Sequence, residues 1–421
     1  MTINRRDFLK ISTATSISLW LDTILKPLSL VAGEIDKSIP EMVYRHFGTT
    51  GKEVSILGFG AMRLPYEEGK DPEEAVKMLV KAYELGINYF DTAPKYVQDK
   101  SEEIVGMALK EIDRKNKAVK NPLPYYWTSK SGLNLGDTTA DEVLKRIEKS
   151  LKRLGKDKIP FYHMWCFMDI DHYQRVMKKG GAYEGAVKAK EQGLIDHILF
   201  SSHATGEENA QIINDGAYEG MLVGYNITNF PRQDQAVQLA HKKGMGVLAM
   251  NPLAGGLIPK NQDYFAPRLK ASNTDMTLVQ TALAFVMGQP EITVALSGMQ
   301  KEEHVIENVK TLNYLKIFND EELVALKKKY LQDMEGICTT CEYCNVCPED
   351  IPVHRIMEVY NTYILKGKED FQGRANWLKE HHDLDFKAEI EKCIECGLCE
   401  QKCTQHLNII ERFDEINTKL L

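Results

Sequence analysis

The sequence predicts an α/β protein: a closed (β/α)8 barrel of the TIM type, followed by a small, mainly α-helical domain rich in cysteine. Three observations predict it. Between residues 54 and 316, eight short apolar runs alternate with stretches of helical periodicity, and eight strand–helix units close such a barrel in about 250 residues. The runs are continuously apolar, as expected of parallel strands covered on both faces. Past residue 335 the character changes. Of nine cysteines, eight fall in two runs of four near the C-terminus, and Cys166 stands alone. A chain of 421 residues holds one large and one small domain comfortably. The boundaries read as 1–33 for a removable leader, 44–334 for the barrel and 335–421 for the cysteine domain. A net charge of -7 provides no positive field for a nucleic-acid backbone.

The units follow in order. Val54-Ser55-Ile56-Leu57-Gly58-Phe59-Gly60 predicts the first strand, and Asp71-Pro72-Glu73-Glu74 opens a helix with proline in its first turn. Asn88-Tyr89-Phe90-Asp91 precedes a helix from Ser101-Glu102, and Tyr125-Tyr126-Trp127-Thr128 precedes one from Thr139 to Leu154. Phe161 to Trp165 precedes a helix running through Ala186 to Gln192. His197-Ile198-Leu199-Phe200, Met221-Leu222-Val223, Gly246 to Ala249 and Ile292 to Leu296 supply the other four strands. An open doubly wound sheet is the competing arrangement. Gly58-Phe59-Gly60-Ala61-Met62-Arg63 lacks the third glycine of the dinucleotide fingerprint, which favours the barrel. A further helix is expected from Asp320 to Asp333.

The leader resembles a twin-arginine export signal: Asn4-Arg5-Arg6-Asp7-Phe8-Leu9-Lys10, then a Ser/Thr-rich apolar stretch from Ile11 to Ala32. Asp22 and Lys26 interrupt that stretch, and a spanning helix needs about 20 mainly apolar residues. A removable address is therefore expected, with no stable membrane span, and with the export machinery as partner. The implied location is exported, in the periplasm. An accidental Arg-Arg pair at a frayed terminus would leave the protein cytoplasmic.

The cysteine runs are Cys338-x-x-Cys341-x-x-Cys344-x-x-Cys347-Pro348 and Cys393-x-x-Cys396-x-x-Cys399-x-x-x-Cys403. Three thiolates at three-residue steps suit the corners of one cubane, which predicts two [4Fe–4S] clusters. Structural zinc sites, or disulfides in an exported protein, are the competing readings. Zinc sites usually come as two separated Cys-x-x-Cys pairs, and disulfides seldom need a three-step ladder. The pattern resembles that of bacterial two-cluster ferredoxins, whose fourth cysteine ligates the other cluster. That resemblance implies one set of Cys338, Cys341, Cys344 and Cys403, and another of Cys393, Cys396, Cys399 and Cys347. The first run departs from it by a two-residue final step, and the second by Thr404 in place of proline. Cys166, at an apolar strand end, reads as a buried inert thiol.

Polar residues at the C-terminal ends of barrel strands read as catalytic. Asp91 ends the second strand, Tyr96 lies in the loop after it, Lys130 ends the third, and His163 sits in the fourth. Singly, each has an ordinary structural reading. Together they form an acid–base set. An ammonium beside a phenol stabilises the phenolate, a carboxylate holds the ammonium, and a histidine donates a hydrogen bond where negative charge develops. Gly58-Phe59-Gly60-Ala61-Met62, Asp91-Thr92-Ala93-x-x-Tyr96 with Ser101-Glu102, Thr128-Ser129-Lys130 and His163 together resemble the aldo/keto reductase family over residues 44 to 316. With the cysteine runs added, the chain is similar to the iron–sulfur branch of that family, which carries a C-terminal ferredoxin-type domain.

The resemblance implies a catalytic tetrad of Asp91, Tyr96, Lys130 and His163, with Tyr96 as general acid. It also implies an NADP(H) site drawn from Met62, Ser201, His203, Asn251, Leu253, Gly255, Ser297, Gly298, Lys301, Glu307 and Asn308. At the nicotinamide end Ser202, Leu222 and Met250 stand where the family has Asn, Gln and Tyr. The implied activity is hydride transfer between NADP(H) and a small-molecule carbonyl or alcohol. The alternative is an iron–sulfur electron-transfer protein with its own electron-transfer partner, the barrel serving as scaffold or binding module. A hydride carries two electrons and a cubane passes one at a time, and no flavin signature is present to join the two modes.

Overall fold

In the computed structural model the described residues are 39–269, 275–315, 320–333, 336–338, 342–403 and 405–421. The twin-arginine leader and Cys341 lie outside them. Eight parallel strands form a closed barrel: β3 (Leu57–Gly60), β4 (Tyr89–Asp91), β5 (Tyr126–Ser131), β6 (Ile159–Phe167), β7 (Ile195–Ser202), β8 (Gly220–Gly224), β9 (Gly246–Met250) and β10 (Val294–Ser297). The ring closes where β10 pairs with β3, Leu296 facing Gly58. Helices follow the strands, and the expected start signals are used. Asp71 Oδ1 accepts the Glu73 N–H at 3.0 Å, and Thr139 forms a capping box with Glu142 on the helix Ala140–Leu154.

The run Val54 to Gly60 is two strands, not one. Glu53–Ser55 (β2) pairs antiparallel with Tyr44–His46 (β1), and only from Leu57 does the chain enter the barrel. The break is held by Ser55, whose N–H donates to Asn88 Oδ1 at 2.7 Å and whose hydroxyl donates to the Leu57 carbonyl at 2.6 Å. The β1–β2 hairpin closes the N-terminal end of the barrel. Its Phe47 is fully buried among Tyr89, Phe161, Leu199, Leu222, Leu248 and Val294, which point inward. Glycine is required opposite it: a Cβ on Gly246 would lie 2.2 Å from the Phe47 ring. A second departure is the short helix Ile170–Val176 between β6 and the expected helix Ala182–Glu191.

The helix Asp320–Asp333 is present as expected. Beyond it the described residues form helices and turns, with Val353–Lys366 packed on Lys368–His382. They bury an apolar cluster of their own that includes Ile356, Tyr360, Phe371, Ile409 and Phe413, together with Cys338, Cys344, Cys399 and Cys403. This segment rests on the strand-end face of the barrel. Lys402 pairs with Asp169 just after β6, and the Tyr343 ring lies 4.6 Å from that of His203 just after β7. Among the described residues no helix is long and apolar enough to cross a membrane.

Candidate active site and cysteine sites

Strand register brings the tetrad together. Lys130 on β5 is paired with His163 on β6, so both side chains face the barrel axis. Lys130 is 0% exposed. Its Nζ donates to Asp91 Oδ2 at 2.6 Å and to the Thr92 carbonyl at 3.1 Å, and Thr128 Oγ1 donates to the same carboxylate oxygen at 3.0 Å. His163 Nε2 lies 3.8 Å from Asp91 Oδ2. The loop after β4 carries Tyr96 back over the site, its ring centroid 5.3 Å from Lys130 Nζ and its edge against Trp165 at 5.9 Å. Ser101 fixes that loop by donating to the Ala61 carbonyl at 2.8 Å and contacting Thr92 Oγ1 at 2.7 Å. Glu102 is buried and takes the Ser129 hydroxyl at 2.6 Å and Arg153 at 3.1 Å. The Ser-Glu motif is thus a brace between strand and helices.

The electrostatics differ from the expectation in one respect. Burial pushes the Tyr96 phenol well above its ordinary pKa, and the Asp91 charge adds to that. Lys130 does not reverse it, because its charge is already matched by Asp91. Burial lowers the Lys130 pKa, against the pull of Asp91. Burial, then the Lys130 charge, pushes His163 well down, with the Phe200 backbone opposing weakly. Among the described residues neither ring nitrogen of His163 has a hydrogen-bond partner of good geometry. At neutral pH the site therefore presents a neutral phenol, a neutral imidazole and one buried ion pair.

The expected nicotinamide residues form a rim along the ends of β7, β9 and β10. Ser201 is buried and its hydroxyl has no hydrogen-bond partner among the described residues, whereas Leu222 and Met250 belong to the apolar interior. Asn251, Ala254, Gly255 and Gly256 all have positive φ, which folds the loop containing Leu253 into a tight turn with Gly255 and Gly256 half-exposed. Gly298 and Lys301 are exposed. Asn308 is buried and donates to Ser297 Oγ at 3.0 Å, and Glu307 accepts the Thr277 hydroxyl at 2.9 Å, so these two chiefly hold the rim together. Met62 is exposed on the turn Ala61–Arg63. Burial brings His203 down to about pKa 4, and Tyr343 covers its ring.

The sequence reading missed two residues. Arg63 lies along Gly298 and reaches toward Gly255, its Cβ and Nη2 each 3.9 Å from where a Cβ on those glycines would stand. Tyr343 reaches from the cysteine segment to within 3.9 Å of the Cys166 thiol, which also receives Asn134 Nδ2 at 3.3 Å. Burial raises the Cys166 pKa, in keeping with an inert thiol.

Of the cysteines, Cys347, Cys393, Cys396 and Cys399 line one small cavity, walled by Ile410 and Phe413 among others. Cys338 is held by Asn361, which accepts its N–H at 2.8 Å and donates to its carbonyl at 2.7 Å. The Cys403 sulfur accepts the Leu407 N–H at 3.4 Å. Burial lowers the Arg412 pKa, against the pull of Tyr360, Cys338 and Cys403 in their ionised forms. Among the described residues no three Cys, His, Asp or Glu side chains are grouped to hold a single metal ion.

The profile of the aldo/keto reductase family matches residues 56–330. L-galactose dehydrogenase of Arabidopsis thaliana is 28% identical over 313 residues, covering 70% of this chain and 93% of that protein. NADH-specific methylglyoxal reductase of Escherichia coli is 25% identical over 308 residues, covering 63% and 92%. The solved aldo-keto reductase AKR11C1 from Bacillus halodurans, in its holo form, shares the fold with a TM-score of 0.55 at 23% identity, over 68% of this chain and 96% of that one. The family match ends before the first cysteine run.

Proposed function

The chain belongs to the aldo/keto reductase family and is an oxidoreductase, and on that premise we propose that it moves hydride between NADP(H) and a small carbonyl or alcohol, uses Tyr96 as proton donor and carries two [4Fe–4S] clusters. The observation that carries the first part is the wholly buried Lys130–Asp91 pair beneath the Tyr96 ring and beside His163. NADP(H), when bound, supplies or accepts the hydride. Tyr96 stays a phenol through neutral pH and gives its proton to the carbonyl oxygen as charge builds there. Lys130, fixed by Asp91, steadies the phenolate left behind. The neutral His163 donates to the same oxygen. For the cofactor, the free Ser201 hydroxyl suits the carboxamide, Arg63 and the loop at Gly255 suit the pyrophosphate, and Lys301 suits a 2′-phosphate.

Tyr96→Phe keeps the ring and removes the proton. Turnover of a responsive carbonyl should fall about 10²–10⁴-fold while binding survives; an unchanged rate refutes the role. One relative is NADH-specific by name, so the nucleotide preference needs its own test. A charge-assisted contact to phosphate contributes about 1.5–3 kcal/mol, so Lys301→Ala should weaken NADPH roughly ten- to a hundredfold and NADH far less in calorimetry.

The cavity that gathers Cys347 with Cys393, Cys396 and Cys399 supports the exchanged fourth ligands, with Cys347 on the second cluster and, by the same exchange, Cys403 on the first. Iron and sulfide should each reach about eight per chain, roughly four per cubane; stoichiometric zinc without visible absorption overturns this. The leader supports export to the periplasm in a folded state, which Arg5→Lys with Arg6→Lys should abolish. The electron-transfer alternative draws on the apolar Leu222 and Met250 at the nicotinamide end. Failure of cluster-replete protein to bind either nicotinamide decides for it.

A further inference from the structure

One short helix, Ile409–Glu415, stands between the two groups of cysteines. Its Ile410 and Phe413 wall the cavity of Cys347, Cys393, Cys396 and Cys399. Arg412, between them in sequence, turns to the other group. Its guanidinium stacks on Tyr360 at 4.7 Å, and its Nη2 donates at 2.5 Å to the carbonyl of Gly336, two residues before Cys338. Its Nη1 is buried and, among the described residues, makes no hydrogen bond. A buried guanidinium nitrogen without an acceptor is costly unless something meets it. The one carboxylate acting on it, Glu415, is hydrogen-bonded by the Tyr360 hydroxyl. Ionised, Tyr360, Cys338 and Cys403 act on it in the same direction as Glu415. Among the described residues no basic side chain lines the cavity of the second group; Glu400 acts on Cys399, Cys396 is exposed, and Ile394 near it is 60% exposed.

We propose that Arg412 is the charge and hydrogen-bond partner of the cluster held by Cys338, Cys341, Cys344 and Cys403, and that it makes this cluster the easier to reduce. The proposal rests on the two-cluster reading given above. Reduction adds one electron to the cluster, breaks no bond and takes up no proton, so the thiolate-bound cluster becomes more negative by one charge. A fixed cation and an N–H donor at its sulfurs favour that state. The cavity of the other cluster is walled by apolar side chains, Ile351, Val353, Ile410 and Phe413 among them, and the charge acting on its Cys399 is the negative one of Glu400.

The test is a redox titration of the full-length, cluster-replete protein with dithionite as reductant, followed by electron paramagnetic resonance. Iron and sulfide are assayed on every sample. Arg412→Gln should lower the reduced-to-oxidised ratio of one cluster about tenfold at a given potential, a shift of about 59 mV for one electron. The cluster that moves should be the one lost in Cys338→Ser, and the other should stay in place. Arg412→Lys should shift it in the same direction by less. Unmoved midpoints in Arg412→Gln with full iron and sulfide overturn the proposal while leaving the clusters standing. If Arg412→Gln does not retain its iron, Arg412→Lys decides, and an unmoved midpoint there overturns the proposal. Parent protein that binds no iron and sulfide overturns the cluster reading itself.

Discussion

Asp91→Leu should expose how much the barrel depends on one ion pair. The change leaves the Lys130 ammonium, fully enclosed, with the Thr92 carbonyl at 3.1 Å as its remaining partner. At the observed 2.6 Å the lost attraction is about 6 kcal/mol for an effective dielectric of about 20. The carbonyl recovers part of it, and removing one member of a buried pair costs about 3–5 kcal/mol in measured cases. At roughly 2–4 °C per kcal/mol for a domain approaching this size, the barrel transition should fall by about 6–20 °C. Scanning calorimetry without nicotinamide reads it. Lys130→Met should cost less, since Asp91 keeps Thr128 Oγ1 at 3.0 Å. The double variant Asp91→Leu/Lys130→Met should recover about 2–3 kcal/mol relative to the sum of the singles. The sign with pH is fixed too. A lone buried lysine has a depressed pKa, the unfolded chain binds more protons, and the Asp91→Leu penalty must shrink as pH rises toward 10. An Asp91→Leu protein melting within 2 °C of the parent, or a double variant no better than additive, refutes the reasoning.

Reduction of a responsive carbonyl should show no ionisation near pH 6.5, about the ordinary histidine value, because His163 is pushed down and acts in its neutral form; one there in kcat/KM contradicts it. Gly132→Ala should destabilise by at least about 1–3 kcal/mol, since a Cβ there would stand 1.8 Å from the Trp165 carbonyl oxygen; an unshifted Tm in thermal denaturation counts against this packing. Tyr343→Ala should uncover the Cys166 thiol, now 2% exposed, and speed its reaction with a thiol reagent by about tenfold or more; an unchanged rate means Tyr343 does not shield it.

The barrel and its buried pair were legible because they follow from short-range pattern. Continuous apolar runs mark strands, and Asp91, Lys130 and His163 stand on three consecutive strands at heights that parallel pairing fixes. What was hidden depends on closure. Arg63 gains its position from the β10–β3 seam, which brings Gly298 beside the first loop, and a basic residue after Met62 carries no local mark of that. Tyr343 meets His203 and Cys166 across more than a hundred residues. The split of Val54 to Gly60 turns on side-chain bonds between Ser55 and Asn88, which hydrophobic periodicity does not register. The pull of Lys130 on the phenol was overestimated for a related reason: sequence names the neighbours of a group but not how deeply it is buried.

The seam between β10 and β3 also sets an order of events during synthesis. The floor residue Phe47 and the first strand are made early, yet neither gains its last partners until Gly246 and Ser297 exist, so the nascent chain carries an open, unsealed sheet for most of its translation. Every cysteine of the two runs emerges after Ser297. At about 5–20 residues per second the rest of the chain takes roughly 6–25 s more. The surface on which Tyr343 and Lys402 settle therefore has time to assemble before the last thiols leave the ribosome.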